Sequence, residues 1–233
     1  MGEEGERRGT RTALRPRMST RRTADDTYKK RYADLGFERS GLFELIREKY
    51  KPAEVLYPGC SVHITPAFFF PHVVFVDRDP NAMKFFADQE AVIEAVRRRR
   101  TYRRAPFIQF LGRDFTRPLP IRKCQFDLIL ALFTPGVSKA CHSYLKPGGL
   151  LLTNNHRGDA VDAAREDELV LLGVIEKRAG KYRLLGVEPG VLPEAARLAS
   201  RPKRYLRKIS SGVEYVEGEK YYLFERVRLR RWE

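Results

Sequence analysis

Two groups of residues in this chain have the types and spacing that chemistry needs. The first is a set of carboxylates placed around apolar runs. Asp77 directly follows Val73–Val76, Asp114 lies just past Phe107–Leu111, and Asp127 opens Phe126–Phe133. In an open parallel sheet, ligands sit outside the carboxyl ends of the strands, so Pro58–Ser61 and Asp77 would face a ligand there. Asp127, at the start of its run, falls at the opposite end and reads as structural. The second group is Thr153–Asp159, TNNHRGD, which puts two amides, an imidazole, a guanidinium and a carboxylate after another apolar run. His156 is the candidate general base there, with Asn155 beside it and Asp159 either orienting the ring or capping the next helix. The competing reading makes Asn155 and Asp159 turn and cap residues and leaves His156 exposed.

These groups need elements to carry them. Val55–Tyr57 and Val73–Val76 read as strands joined through a Pro-rich turn, with Pro58–Ser61 forming a tight loop after the first. Asp79-Pro80 is a helix start, and Met83, Phe86, Ile93 and Val96 repeat on one face of the helix that follows. Arg97–Arg100 falls in its last turn, where cations suit the helix dipole. Asp77 therefore has two readings, a neighbour of that cap or a ligand contact, and Asp79 is the better placed cap. Phe107–Leu111 is a third strand. Phe126–Phe133 is a continuous apolar run, as in a strand buried on both faces. Ser138–Leu145 reads as a helix, Leu150–Asn154 as the next strand, and Gly158–Asp167 as a short helix. Leu169–Ile175, Lys181–Leu185 and Lys220–Leu229 are further strands. The alternation predicts an α/β fold with a doubly wound, mostly parallel sheet.

Ahead of the sheet, a helix is expected from about Ala24 to Gly36, and a second over Ser40–Tyr50 with Leu42, Phe43, Ile46 and Tyr50 on one face. The expected organisation is a disordered basic tail over 1–24, a helical flank over 25–50, and an α/β domain over 51–233 with an insertion near 186–212. The 233 residues, 42% of them hydrophobic with 14 Phe and 11 Tyr, suffice for one well-buried domain. No apolar run is long enough to span a bilayer, and the opening residues lack a signal-peptide core. Three cysteines, Cys60, Cys124 and Cys141, fit reduced thiols in a cytoplasm. No set of His, Cys and acids has ligand spacing, so no metal is expected. The net charge of +15 is dispersed; it suits solvated faces or an anionic partner such as RNA.

In four places the chain resembles the class I S-adenosylmethionine-dependent methyltransferases. Tyr57–Ser61 is similar to their glycine loop, Val76–Pro80 (VDRDP) to their acidic strand end, Gly112–Pro120 with Phe126–Ile129 to their adenine side and fourth strand, and Tyr144–Leu152 to their fifth. The resemblance implies a three-layer αβα fold of that type, S-adenosylmethionine as cofactor, and methyl transfer to an acceptor it does not identify. It implies that Tyr57, Pro58, Gly59, Cys60 and Ser61 border the cofactor's tail, that Asp77 with Arg78 takes the ribose, and that Asp114 with Phe115 takes the adenine. Asp114 could equally stabilise its own turn.

The loop departs from the family in having one Gly, where two or three are usual. Phe133-Thr-Pro-Gly136 lacks the amide or acid and second Pro of nucleobase amino-methyltransferases. A dinucleotide site would want G-x-G-x-x-G, which is absent here. Polyamine chemistry on a related cofactor would want acids in the loop after the fourth strand, which has none. The acceptor class is left open between a small molecule and RNA, and oligomeric state is not legible. The alternative function is a degenerate methyltransferase fold that binds RNA or protein.

Overall fold

In a computed structural model of the chain, residues 24–188, 190–192, 206–209, 212–215 and 220–228 are described. The expected basic tail falls outside them except for Ala24, as does much of the expected insertion near 186–212.

An eight-stranded open sheet forms the middle layer. Its strands are β1 (Glu54–Pro58), β2 (His72–Val76), β3 (Phe107–Leu111), β4 (Phe126–Ala131), β5 (Leu145–Thr153), β6 (Leu169–Arg178), β7 (Lys181–Leu185) and β10 (Lys220–Arg226). They lie in the order β3-β2-β1-β4-β5-β10-β6-β7. β3, β2, β1, β4 and β5 are mutually parallel; β10 runs antiparallel to both β5 and β6, and β7 antiparallel to β6. A separate hairpin, β8 (Leu206–Ile209) and β9 (Gly212–Tyr215), starts inside the expected insertion, runs past its expected end, and was not legible as strands.

Side chains alternate between two cores, as strand geometry requires. Val55, Tyr57, Val73, Phe75, Leu128 and Leu130 point to one face; Leu56, Val74, Val76, Ile129 and Ala131 point to the other. Helices α1 (Ala24–Tyr28), α2 (Ser40–Tyr50), α3 (Pro66–Phe69), α4 (Pro80–Phe86) and α5 (Gln89–Arg99) supply buried residues to the first core. α6 (Val137–Cys141) and α7 (Asp159–Ala163) supply the second. The three-layer, doubly wound, mostly parallel architecture expected from the sequence is therefore present. No helix of the described residues is long and apolar enough to cross a membrane.

Four elements differ from expectation for local reasons. The first helix leaves α geometry after Tyr28 and continues as a π-helical turn over Lys29–Ala33. The helix after Asp79 is two helices: Asp88 accepts from Ala91 N–H at 3.2 Å and starts α5 afresh. The expected helix over Ser138–Leu145 is α6 followed by a 3₁₀ turn at His142–Tyr144. β5 begins at Leu145 rather than Leu150, because the Pro-Gly-Gly segment bulges out between two stretches paired with β4. Gly149 permits that bulge, since a Cβ there would sit 2.8 Å from the Lys146 carbonyl oxygen.

Candidate functional site

The strand order reverses between β2-β1 and β4-β5, which opens a crevice at the carboxyl ends of β1 and β4. The loop after β1 sits in it. Gly59 has φ +66° and donates its N–H to the Val76 carbonyl at 2.7 Å, so the loop doubles back onto the tip of β2. Ser61 is also left-handed, at φ 49°. Its N–H donates to Asp77 Oδ2 at 2.7 Å, while Asp79 N–H donates to Asp77 Oδ1 at 2.8 Å. Asp77 is thus the bracket that ties the first loop to the start of α4, and Asp79 is the helix cap, accepting from Asn81 N–H at 2.9 Å.

Above this loop is a cavity of about 250 Å³ lined by Tyr57, Gly59, Cys60, Ser61 and His63 below and by Tyr32, Phe37, Arg39, Leu132 and Phe133 around it. Four residues singled out from the sequence, Tyr57, Gly59, Cys60 and Ser61, therefore share one wall. Tyr57 and His63 form a buried pair, Oη to Nδ1 at 3.0 Å, and His63 Nε2 lies 3.4 Å from the Glu38 carbonyl. The carbonyl can only accept, so Nε2 carries the proton and Nδ1 accepts from the tyrosine. Burial, then the nearby Arg39 cation, lowers the His63 pKa to about 3 and keeps the ring neutral. Burial pushes the Tyr32 hydroxyl up to about 12 and the Tyr57 hydroxyl and Cys60 thiol well above their ordinary values.

Arg39 is the charge of this cavity. It is 9% exposed, donates from Nε to Tyr221 Oη at 2.7 Å and from an Nη to the Phe37 carbonyl at 2.8 Å, and lies over the Phe133 ring at 4.5 Å. Sequence reasoning did not find it. It stands before α2 with left-handed φ 56°, and only the return of β10 brings Tyr221 beneath it. Tyr32 and Phe37 were also missed; the 4.5 Å stacking of Tyr32 on His63 results from docking of the flank.

The remaining predicted residues fall into two places. Arg78, 77% exposed by its side chain, pairs with Asp114 Oδ2 at 2.8 Å, along the rim from Asp77. Asp114 Oδ1 accepts from Thr116 N–H at 3.0 Å and Thr116 Oγ1 at 2.7 Å, which holds its turn. These Thr116 bonds, with Arg78 and Arg117 adding to them, keep the carboxyl below its ordinary value. Phe115 packs in part on the second core.

In the loop after β5, Asn155 Oδ1 accepts from Ala160 N–H at 2.9 Å and caps the helical turn that follows. Asp159 is fully buried and its Oδ1 accepts from Ser138 N–H at 3.0 Å and Ser138 Oγ at 2.9 Å. The expected orienting or capping role for Asp159 is corrected: its carboxylate ties α7 to α6, because Ser138 sits directly across from it. His156 Nδ1 is buried and has no hydrogen-bond partner; its ring centroid lies 6.4 Å from that of Phe133, and it is not among the residues that line the cavity. Burial, then Arg157, lowers its pKa. Among the described residues no cluster of His, Cys, Asp or Glu could hold a metal ion.

No family model matches this chain, and no curated protein matches it. Solved structures do. The SpnF cyclase is 15% identical, with 83% of this chain and 82% of that one covered and a TM-score of 0.49. A SAM-dependent methyltransferase from Methanosarcina mazei is 13% identical over 79% and 98%, TM-score 0.46. The N-methyltransferase NodS from Bradyrhizobium japonicum is 15% identical over 84% and 98%, TM-score 0.42. The mostly parallel sheet with helices on both faces agrees with the fold that the sequence resemblance implied.

Proposed function

We propose that this protein transfers a methyl group from S-adenosylmethionine to an acceptor. The observation that carries the reading is the cavity above Gly59–Ser61, set at the reversal of strand order and lined by a buried cation and several aromatic faces. The donor set suits the cofactor part by part. Arg39 is a partner for the carboxylate of the amino-acid tail. Asp77 keeps a second lone pair on each oxygen for ribose hydroxyls. Asp114 lies farther along the same rim, behind a surface ion pair with Arg78 that costs little to open.

When bound, the cofactor supplies an electrophilic methyl on sulfonium. The chain's own contribution is alignment and dryness. Tyr57 and Cys60 stay protonated and His63 stays neutral, so none of them competes for the methyl as an anion. The base proposed from the sequence is His156, whose ring is held toward the neutral form by burial and which lies behind Phe133, so an acceptor reaches it only once Phe133 moves. Asn155 and Asp159 shape the loop that carries it.

Calorimetry with S-adenosylmethionine tests this directly. Heat from the wild type, with affinity lost at least tenfold in Asp77→Asn and in Arg39→Gln while both variants melt cooperatively, is the expected result. Absence of heat from a folded wild type would leave the binding-module alternative in its place.

A further inference from the structure

We propose that the arginine-rich loop at the amino end of β3, with the exposed ring of Phe107, is a binding surface for single-stranded nucleic acid. Residues 97–104 hold six arginines. The helix dipole explains only those in the last turn of α5, Arg97–Arg99. Of the six, Arg98 pairs with Asp25 and Glu94, and Arg99 with Asp25 and Glu38. Arg97, Arg100, Arg103 and Arg104 have no acidic partner among the described residues.

The loop that presents these cations is fastened from within. Thr101 donates both its N–H and its hydroxyl to the Phe68 carbonyl, at 2.8 and 3.0 Å. Tyr102 Oη donates to the Ala67 carbonyl at 2.8 Å, and Arg100 donates to the Arg104 carbonyl. The two residues between the arginines are thus turned inward onto α3. Arg103 and Arg104 are left in solvent, on a backbone that need not be ordered when a ligand arrives.

Three residues on, Phe107 starts β3 and is 52% exposed, an unusual placement for a phenylalanine at the head of an edge strand. His72, its partner on β2, supports it edge-on with ring centroids 4.3 Å apart. A braced aromatic face beside a row of guanidinium groups is what successive bases and phosphates of an unpaired strand require. An acidic peptide would use the cations and leave the ring idle, and a duplex would offer it no free base.

The surface is independent of the proposed cofactor site. β3 runs from Phe107 to Leu111 and ends at the rim, so the two lie about 13 Å apart along the strand at ~3.3 Å per residue.

Fluorescence anisotropy with a labelled oligouridylate of about 12 nucleotides tests the proposal on the full chain. Neutralising contacts to single strands at about 0.7 in log–log slope each, four arginines give about 50-fold weaker binding as salt rises from about 50 to 200 mM. The quadruple variant R97Q/R100Q/R103Q/R104Q is expected to lose at least tenfold in affinity and most of that slope. R97Q/R103Q/R104Q, which keeps the Arg100 bond inside the loop, should lose most of the same effect. Phe107→Ala should weaken binding roughly tenfold with the slope unchanged. Calorimetry with S-adenosylmethionine should be the same for all of these variants as for the wild type. Binding by the quadruple variant as tight as the wild type would overturn the proposal by moving the contact to other basic residues. So would a duplex of equal length that binds as tightly, or an oligoglutamate that competes as well as RNA.

Discussion

Replacing Gly59 with alanine tests how the loop after β1 is seated. A Cβ on Gly59 would lie 2.2 Å from Thr134 Oγ1, 2.5 Å from its Cγ2 and 2.7 Å from its Cβ, well inside contact distance. Two costs add. Holding alanine in the left-handed region costs about 1–2 kcal/mol. Forcing a methyl into an occupied space costs about 1–3 kcal/mol more. The sum, roughly 2–5 kcal/mol, lowers the melting temperature of a chain this size by about 4–20 °C. Because even the Thr134 Cβ overlaps, Thr134→Ala leaves part of the clash and only Thr134→Gly removes it. Thr134→Gly alone gives up a hydroxyl bond to the Gly59 carbonyl at 3.2 Å and is itself mildly destabilising. In a double-mutant cycle followed by thermal and urea unfolding, G59A and T134G should couple favourably by about 1–3 kcal/mol, the size of the steric term. The residue of the loss, about 1–2 kcal/mol, is the left-handed penalty and should persist in the double variant. A G59A protein that melts within about 1 °C of the wild type would refute the reasoning, as would a cycle with no coupling.

Asp159 gives a second test. Its carboxyl is buried, which raises its pKa, so the folded state holds the proton more tightly than the unfolded chain. Stability from this group therefore grows as pH falls through the raised value and is penalised above it. Asp159→Asn should match or exceed the wild type in urea midpoint at neutral pH and lose that gain on acidification. Asp159→Ala, which strands the buried Ser138 N–H while Ser138 Oγ keeps its 3.0 Å bond to the backbone carbonyl of residue 159, should cost about 1–3 kcal/mol. His63 behaves oppositely: with its pKa at about 3, the unfolded chain binds the proton first, and stability falls as pH drops below about 6.5 toward 3. Its ring proton resonances should show no titration between about pH 5 and 8, where an exposed histidine would shift. Arg78→Ala should leave the melting temperature unchanged, since the pair is solvent-exposed; calorimetry should find cofactor affinity equal or higher once Asp114 is released.

Much of the fold was legible because its signals are local. The short continuous apolar runs of β1, β2 and β4 and the Asp79-Pro80 cap each depend on neighbours a few residues apart. Where local signals overlapped, boundaries slipped. Asp88 as a second cap split one expected helix, and the glycines of the Pro-Gly-Gly segment read as a break although they form a bulge within β5. The loop Tyr57–Ser61 was legible as a site wall, since a strand, a glycine and a following acid are contiguous features.

The sequence by itself determined the strands of the main sheet and the placement of Asp77 at the end of the strand beside the loop after β1. Tertiary structure alone decided which charges enter the cavity and which serve as struts. Arg39 bonds Tyr221 across 182 residues, and Asp159 reaches Ser138 rather than His156. A hydrophobic period records which face of an element is covered, and it holds no record of the partner that covers it. A buried guanidinium or carboxylate takes whichever hydrogen-bonding group the folded chain brings within about 3 Å.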